Sequence, residues 1–480
     1  MPSYPIRVLT SRIRMLPLQT RMPFRYGIAT MTSFPLAFLE VICEIQGKKV
    51  SGWSSDLLPP KWFTKEPKKD TTEEIREMSC VIQQACQFAS GLSGANPFEL
   101  WQQIYLTQDA WGRSQAWPSL LVHFGTSMVE RAILDAWCRH RQRPFFDLLL
   151  QGDLGFDGSW FGDSIAGASL RESLPSRPLS RVIARHTLGL SDPIHEAGIP
   201  AEEYLNDGLP QSLESCIDTY GLKHLKVKIS GDQASDIDRL NRLQSLITRP
   251  GSETIELSLD GNERFGSMEA FADYWHQLIG RPGLRSFLER VMFIEQPLAR
   301  DVALSQTATK HPTIWQVTPP IIIDESDDAL DSASRAIELG YAGTSHKNCK
   351  GVFKSVANAC MLHRRRLDQP QATWILSGED LCNQGPISVM QDLCVAASLG
   401  ISSIERNGHH YCRGLADHPI SIQQAMLEHH PDLYHLSDAG WPTLHIKAGC
   451  LEIGSVVNAP LGLSFTPSLE DYPFETDLTF

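Results

Sequence analysis

The sequence predicts an α/β protein whose larger part is a closed, modified (β/α)8 barrel of the TIM type, and two observations carry that prediction. Between residues 181 and 414, eight short strand patterns alternate with helical ones. The strands are VIARHTL, HLKVKI, TIELSLD, VMFIEQP, IIIDES, AGTSHK, TWILSG and SSIERN; stretches such as SDIDRLNRLQSLI, MEAFADYWHQLI and ISVMQDLCVAASLG lie between them. Alternation at this rhythm implies a parallel sheet, and eight strands favour closure. The second observation is that charged residues recur where successive strands run out, about every 30 residues, the length of one βα step in such a barrel.

The first 150 residues mix strand and helix and form a separate α+β unit. IRVLTSRIRMLPL alternates as a strand, and PLAFLEVICEIQGKKVSGWSS reads as a hairpin turning at Gly47 to Lys49. Helices are expected from Thr71 to Leu92 and from Ser127 to His140; in the second, Met128, Ala132, Ile133, Leu134 and Ala136 make an apolar stripe that Pro144 stops. Residues 151 to 180 are rich in Gly, Ser and Pro and read as a linker, so the expected domains are 1–150, a linker at 151–180, the barrel at 181–414 and an irregular tail at 415–480.

Composition narrows the function. A chain of 480 residues, 42% hydrophobic and 21% charged, is an ordinary globular protein with room for a large core. Its net charge of −13 argues against nucleic acid or an anionic membrane as partner, and no apolar run approaches a membrane span. Eleven cysteines without a C-x-x-C pair suit buried thiols in a reducing compartment, so a cytoplasmic address is expected. Arg7, Arg12, Arg14, Arg21 and Arg25 precede the first acid, Glu40, but the alternating pattern there favours a strand over a transit peptide.

The strand ends carry the chemistry. Lys226 and Lys228 share one face of the second strand, where two buried ammonium groups require something anionic opposite. Strands three, four and five end in Asp260, Glu295 and Asp324, strand six in Lys347 and strand eight in Glu405. Each acid alone has a structural use: a turn in SLDGNE, a strand stop before Pro297, a helix cap at Ser326. Three on consecutive strands converge negative charge on one mouth and call for a cation; hard oxygen donors select Mg²⁺ or Mn²⁺ over zinc. No His/Cys set has zinc spacing, since His409 and His410 are adjacent and would face opposite ways on a strand. Lys228 and Lys347, on strands two and six, would stand on opposite sides of a metal-bound carboxylate substrate. Removing its α-proton creates an enediolate that fixed positive charge stabilises.

LKVK, LDGN, FIEQP, IIDES and SHKNCKG together resemble the enolase superfamily, in its lysine-pair branch of muconate cycloisomerases, o-succinylbenzoate synthases and dipeptide epimerases. ERAILDAWCRHRQRPFFDLLLQG is similar to the helix joining that family's α+β capping domain to the barrel, RMPFRYGIATMTS to its mobile substrate loop, and GSVVNAPLGLSF to the tail that returns to the cap. The resemblance implies that Asp260, Glu295 and Asp324 bind Mg²⁺ and that Lys228 and Lys347 are the acid/base pair. It further implies that Lys226 touches the substrate carboxylate, Glu325 orients Lys347, Glu405 lines the far wall, and Arg25 and Tyr26 set specificity. Racemisation, epimerisation or cycloisomerisation of a small carboxylic acid follows, with o-succinylbenzoate-synthase-like or acid-sugar dehydration, Schiff-base chemistry at Lys347 and a non-catalytic metal/acid-binding barrel as alternatives. The substrate, the role of the extra segments 59–122 and 152–181, and assembly into a homo-oligomer stay open. There are departures: only Gly351 follows Lys350, no His ends strand seven, and Glu405-Arg406-Asn407 replaces the Asp-x-Asp that a dipeptide epimerase carries, which disfavours dipeptides.

Overall fold

The computed structural model describes residues 5–162, 165–249, 254–306, 313–470, 472 and 476–480. Three long antiparallel strands, β1 (Ile6–Tyr26), β2 (Ala29–Ile45) and β3 (Lys48–Leu57), form the N-terminal sheet, and the short β4 (Ser93–Gly94) pairs with the start of β1. β1 alternates as its sequence predicts: Ile6 and Val8 are buried while Arg7 is exposed. The β2–β3 turn is tighter than the sequence suggests. It closes on Gln46 and Gly47, whose φ of 53° and 75° suit a two-residue hairpin, and Lys48 already belongs to β3.

Three helices cover this sheet: α1 (Thr71–Ala89), α2 (Pro97–Ser114) and α3 (Ser119–Arg141). Asn96 caps α2 by accepting from the Glu99 amide at 2.9 Å, with Pro97 in the first turn. α3 begins eight residues before the predicted Ser127, because every residue from Leu120 to Cys138 is buried and the run has no polar face to mark a period. It lies flush against β3 at Gly52, where a Cβ would run into the backbone of Ala132 and Ala136.

The barrel strands are β5 (Arg181–Leu188), β6 (His224–Lys228), β7 (Glu256–Asp260), β8 (Val291–Glu295), β9 (Ile321–Ile323), β10 (Gly343–His346), β11 (Ile375–Gly378) and β12 (Ser403–Arg406). All eight predicted strands form. They pair in parallel in chain order, and β12 returns to β5 with Ile404 opposite Ala184, which closes the sheet.

The linker and tail are more ordered than their composition suggests. Phe156, Trp160 and Phe161 pack with Phe98 and Trp101 of α2 and with Phe353 of the barrel, one aromatic cluster spanning the boundary. The tail holds the hairpin β13 (Tyr434–Leu436) and β14 (Pro442–Leu444). It then sends β15 (Cys450–Glu452) antiparallel onto β5 and β16 (Thr476–Thr479) antiparallel onto β1, touching both units. Between them, Pro460 accepts from the Phe145 amide at 2.7 Å, so GSVVNAPLGLSF does return to the end of the helix run that leaves the cap.

The Gly52 contact is testable. Gly52→Ala forces α3 off β3, and an overpacked site of this kind costs about 1–3 kcal/mol; thermal denaturation should show a lower midpoint with secondary structure retained at low temperature.

Candidate functional site

The parity of β6 turns Leu225 and Val227 outward and Lys226 and Lys228 into the barrel, where both are buried. Lys226 Nζ sits among four carboxylates: Asp260 Oδ2 at 3.0 Å, Glu295 Oε2 at 2.7 Å, Glu379 Oε2 at 2.7 Å and Glu405 Oε2 at 3.0 Å. Lys228 Nζ donates to Asp260 Oδ2 at 2.5 Å. Across the mouth, Lys347 Nζ lies 2.7 Å from Asp324 Oδ2, and Lys350 Nζ lies 2.8 Å from Asp324 Oδ1. Glu379 also pairs with Arg185, which projects inward from β5, and Thr187 donates to Glu405 at 2.5 Å.

These neighbours set the protonation states. Burial drives the Asp324 carboxyl upward, but Lys347 and Lys350 outweigh it and hold it well below the usual range. Asp260 is lowered in the same way by Lys226 and Lys228. Glu295 goes the other way: burial raises it, and Asp260 and Glu379 add to the rise. Burial and Asp324 together push Glu325 up to about 7. The Lys347 amine is lowered by burial yet ends above its ordinary value because Asp324 faces it, so in this state it is an ammonium.

Lys228 and Lys347 line one cavity together with Glu405, Asn262, Asp380 and Asn407 from the barrel. Its other wall comes from the N-terminal unit as Phe24, Tyr26, Met31 and Trp62, and the Lys347 ammonium stands 4.5 Å from the centre of the Trp62 ring. The loop carrying Trp62 is tied down by Arg300, which donates to the carbonyls of Trp62 and Phe63 at 2.8 and 2.9 Å and pairs with Glu263 at 2.7 Å. A structural use of the acids coexists with the cluster: Asp260 Oδ1 accepts from the Asn262 amide at 2.8 Å, making the turn read from SLDGNE.

Several expected placements change. Lys226 does not line the cavity; its amine is committed to the four acids behind it. Glu325 accepts from Asn262 Nδ2 at 3.1 Å, and the carboxylate touching Lys347 is its neighbour Asp324, since successive residues at a strand end point apart. Arg25 is exposed and faces a separate surface groove with Leu190 and Arg239; Phe24 and Tyr26 on either side of it face the cavity. The segment RMPFRYGIATMTS is not a loop but the end of the β1–β2 hairpin, with Tyr26 paired to Ala29 and its hydroxyl donating to the Pro60 carbonyl at 2.8 Å. Ser326 is not a cap: its hydroxyl accepts from Gln296 at 2.7 Å. Among the described residues, no oxygens from Asp260, Glu295 and Asp324 come within 4.8 Å of one another as a set of three; Lys226 spans the first two, and Lys347 and Lys350 draw off the third.

Sequence reasoning missed Glu379, Lys350, Arg185, Trp62 and Phe24. Glu379 follows the rule that found the other acids, since it stands at the end of strand seven in ILSGED. Lys350 lies three residues past Lys347, one short helical turn on, and also donates to Ser345 at 2.7 Å. Trp62 carried no local signal.

No protein-family profile and no curated protein matches the sequence. Solved structures do match in fold. An N-succinyl Arg/Lys racemase from Bacillus cereus aligns over 99% of this chain and 100% of its own, at 14% identity and a TM-score of 0.59. A dipeptide epimerase from Enterococcus faecalis, complexed with Mg and an L-Leu-L-Tyr dipeptide, aligns over 95% of this chain and 99% of its own, at 17% identity and a TM-score of 0.58. A muconate lactonizing enzyme from Pseudomonas fluorescens, complexed with muconolactone, aligns over 83% of this chain and 87% of its own, at 14% identity and a TM-score of 0.55. The chain therefore has the fold of these capped barrels, as the sequence resemblance implies. Among the described residues no helix is long and apolar enough to cross a membrane.

The histidines packed into the fold give it an acid limit. Burial pushes His346, behind Lys347, down to about 3 and His418 down to about 4 from an ordinary 6.5. Below pH 6.5 the unfolded chain takes up protons that these rings refuse, so stability is complete above pH 6.5 and falls as pH drops towards 3–4. Each contributes up to about 1.4 kcal/mol per pH unit in that window. Urea midpoints should decline from pH 7 to pH 5, and His418→Asn should flatten the decline.

Proposed function

We propose that this chain is a Mg²⁺-dependent enzyme of the enolase-superfamily type that removes a proton α to the carboxylate of a small carboxylic acid. The observation that carries this reading is the pair of amines: Lys228 from the second barrel strand and Lys347 from beyond the sixth line one cavity from opposite sides of the ring. Each is backed by a different acid, Asp260 or Asp324. Two amines on opposite faces of an α-carbon let one take the proton and the other return it, which suits racemisation or epimerisation and also serves cycloisomerisation.

In chemistry the donors suit a hard divalent ion, although in this structure Lys226, Lys347 and Lys350 stand among them and their oxygens do not converge as a set of three. The groups linked by the contacts above comprise six buried carboxylates (Asp260, Glu295, Asp324, Glu325, Glu379, Glu405) against five cations (Lys226, Lys228, Lys347, Lys350, Arg185), an excess of one negative charge when every acid is ionised. Glu295 Oε2, although close to Lys226, accepts no hydrogen bond of good geometry. Asp260, Glu295 and Asp324 would hold the ion; a dication and a monocarboxylate substrate together then bring the site to formal neutrality. When bound, the ion supplies positive charge to the carboxylate oxygens as the α-proton leaves. The chain's own residues do the rest. Lys226 neutralises the acids behind the mouth, Lys228 and Lys347 exchange the proton, and Phe24, Tyr26, Met31 and Trp62 give the cavity an apolar wall. That apolar wall suits a substrate with an apolar substituent; the muconolactone in one similar structure marks a small acid to try first, while Glu405-Arg406-Asn407 disfavours dipeptides.

Solvent deuterium exchange across a library of small carboxylic acids tests the reading. Label should enter the α-position with Mg²⁺ present, vanish with EDTA and return with added Mg²⁺. Lys228→Ala and Lys347→Ala should each lose exchange from one enantiomer by at least about a hundredfold, the lower range for general acid–base catalysis. Undiminished exchange from both enantiomers in both variants would refute the assigned roles.

A further inference from the structure

The outer side of the first barrel strand holds a second cluster that the proton chemistry does not use. The parity of β5 sends Arg185 and Thr187 inward to Glu379 and Glu405, so His186 between them points outward. There it meets Cys216, on the helix Leu213–Tyr220, and the turn that follows β12. That turn overturns the expectation that His409 and His410 face apart: Gly408–Tyr411 winds into one helical turn, and both rings lie against His186, with centres 5.1 and 4.7 Å away.

Donor atoms of His186, Cys216 and His410 all lie within 4.8 Å of one another; among the described residues no other group of three or more His, Cys, Asp or Glu side chains does so. All three residues are buried, at 1%, 0% and 2% exposure. Cys216 Sγ is 3.7 Å from His410 Nδ1. A tetrahedral ion with a metal–sulfur bond of about 2.3 Å and a metal–nitrogen bond of about 2.0 Å requires an S···N edge of roughly 3.5 Å. His186 has a hydrogen-bonding partner of the kind that orients a ligating imidazole, and a carboxylate lies near His410, beyond hydrogen-bond distance. Asp192 Oδ2 stands 4.0 Å from His410 Nε2, on the side away from the thiol, and is itself fixed by the Gly189 amide at 2.6 Å and by the Tyr411 hydroxyl. His409 Nε2 lies 3.1 Å from His186 Nδ1, while the other nitrogen of His409 is buried with no hydrogen-bond partner. The nearby Arg21 guanidinium is committed to Asp207 and to the carbonyls of Leu209, Pro210 and His410.

We propose that His186, Cys216 and His410 bind a borderline-soft transition-metal ion, zinc above all, at a three-residue site that joins the first barrel strand to the helices flanking the barrel seam. Burial disfavours the charged form of the His186 and His410 imidazoles, and of neighbouring His409, and raises the Cys216 thiol. Binding therefore expels the thiol proton as the metal–sulfur bond forms. The three ligands come from β5, the first barrel helix and the end of β12, so the ion ties the start of the barrel to its end.

Cobalt(II) is the probe. Titrated into the full-length protein after chelator dialysis, it should produce a thiolate-to-cobalt charge-transfer band in the near ultraviolet, saturating near about one equivalent and displaced by Zn²⁺. The band should be lost in Cys216→Ser and weakened in His410→Gln, and elemental analysis should find zinc in the native protein but not in Cys216→Ser. The acids at the barrel mouth offer only oxygen, so they produce no such band, and deuterium exchange reports on them separately. Absence of the band in folded wild-type protein, or its survival in Cys216→Ser, would overturn the proposal.

Discussion

The Lys226 ammonium and its four carboxylates hold the barrel's interior together. None of these charges has water to turn to, and a buried ion without its partner costs roughly 3–5 kcal/mol. The acids come from the ends of β7, β8, β11 and β12, so the amine on β6 is satisfied only when strands from most of the ring have closed around it. Ring closure and charge neutralisation are thus one event. Arg185 and Thr187 extend the same network to β5, across the seam where the last strand meets the first.

Much of this was legible because it is periodic. The eight strands stand out by their apolar runs and the acids by their recurrence at strand ends; both are short-range patterns that survive without coordinates. What was not legible is pairing. The attachment of Lys226 to acids rather than to the cavity depends on which of several inward groups lies nearest, and Glu379, which supplies one of its two shortest contacts, adjoins an Asp in ILSGED that shares its charge. Arg25 was misplaced by a single step of strand parity. The start of α3 was hidden because a helix buried on all sides has no amphipathic stripe. His409 and His410 would face apart on a strand, and one turn of helix brings both rings to the same side.

The cavity is shared unequally. Its amines and polar rim belong to the barrel, while much of the greasy wall, Phe24, Tyr26, Met31 and Trp62, belongs to the N-terminal unit. β16 laces against β1 at one end of the tail and β15 against β5 at the other, so the two parts are stitched by the same stretch of chain. Substitutions in the hairpin or the Trp62 loop can therefore reshape the cavity without disturbing the charged cluster at the barrel mouth. Under the proposed function, chemistry and molecular taste reside on different pieces of one polypeptide, and evolution can edit the second while the first stands still.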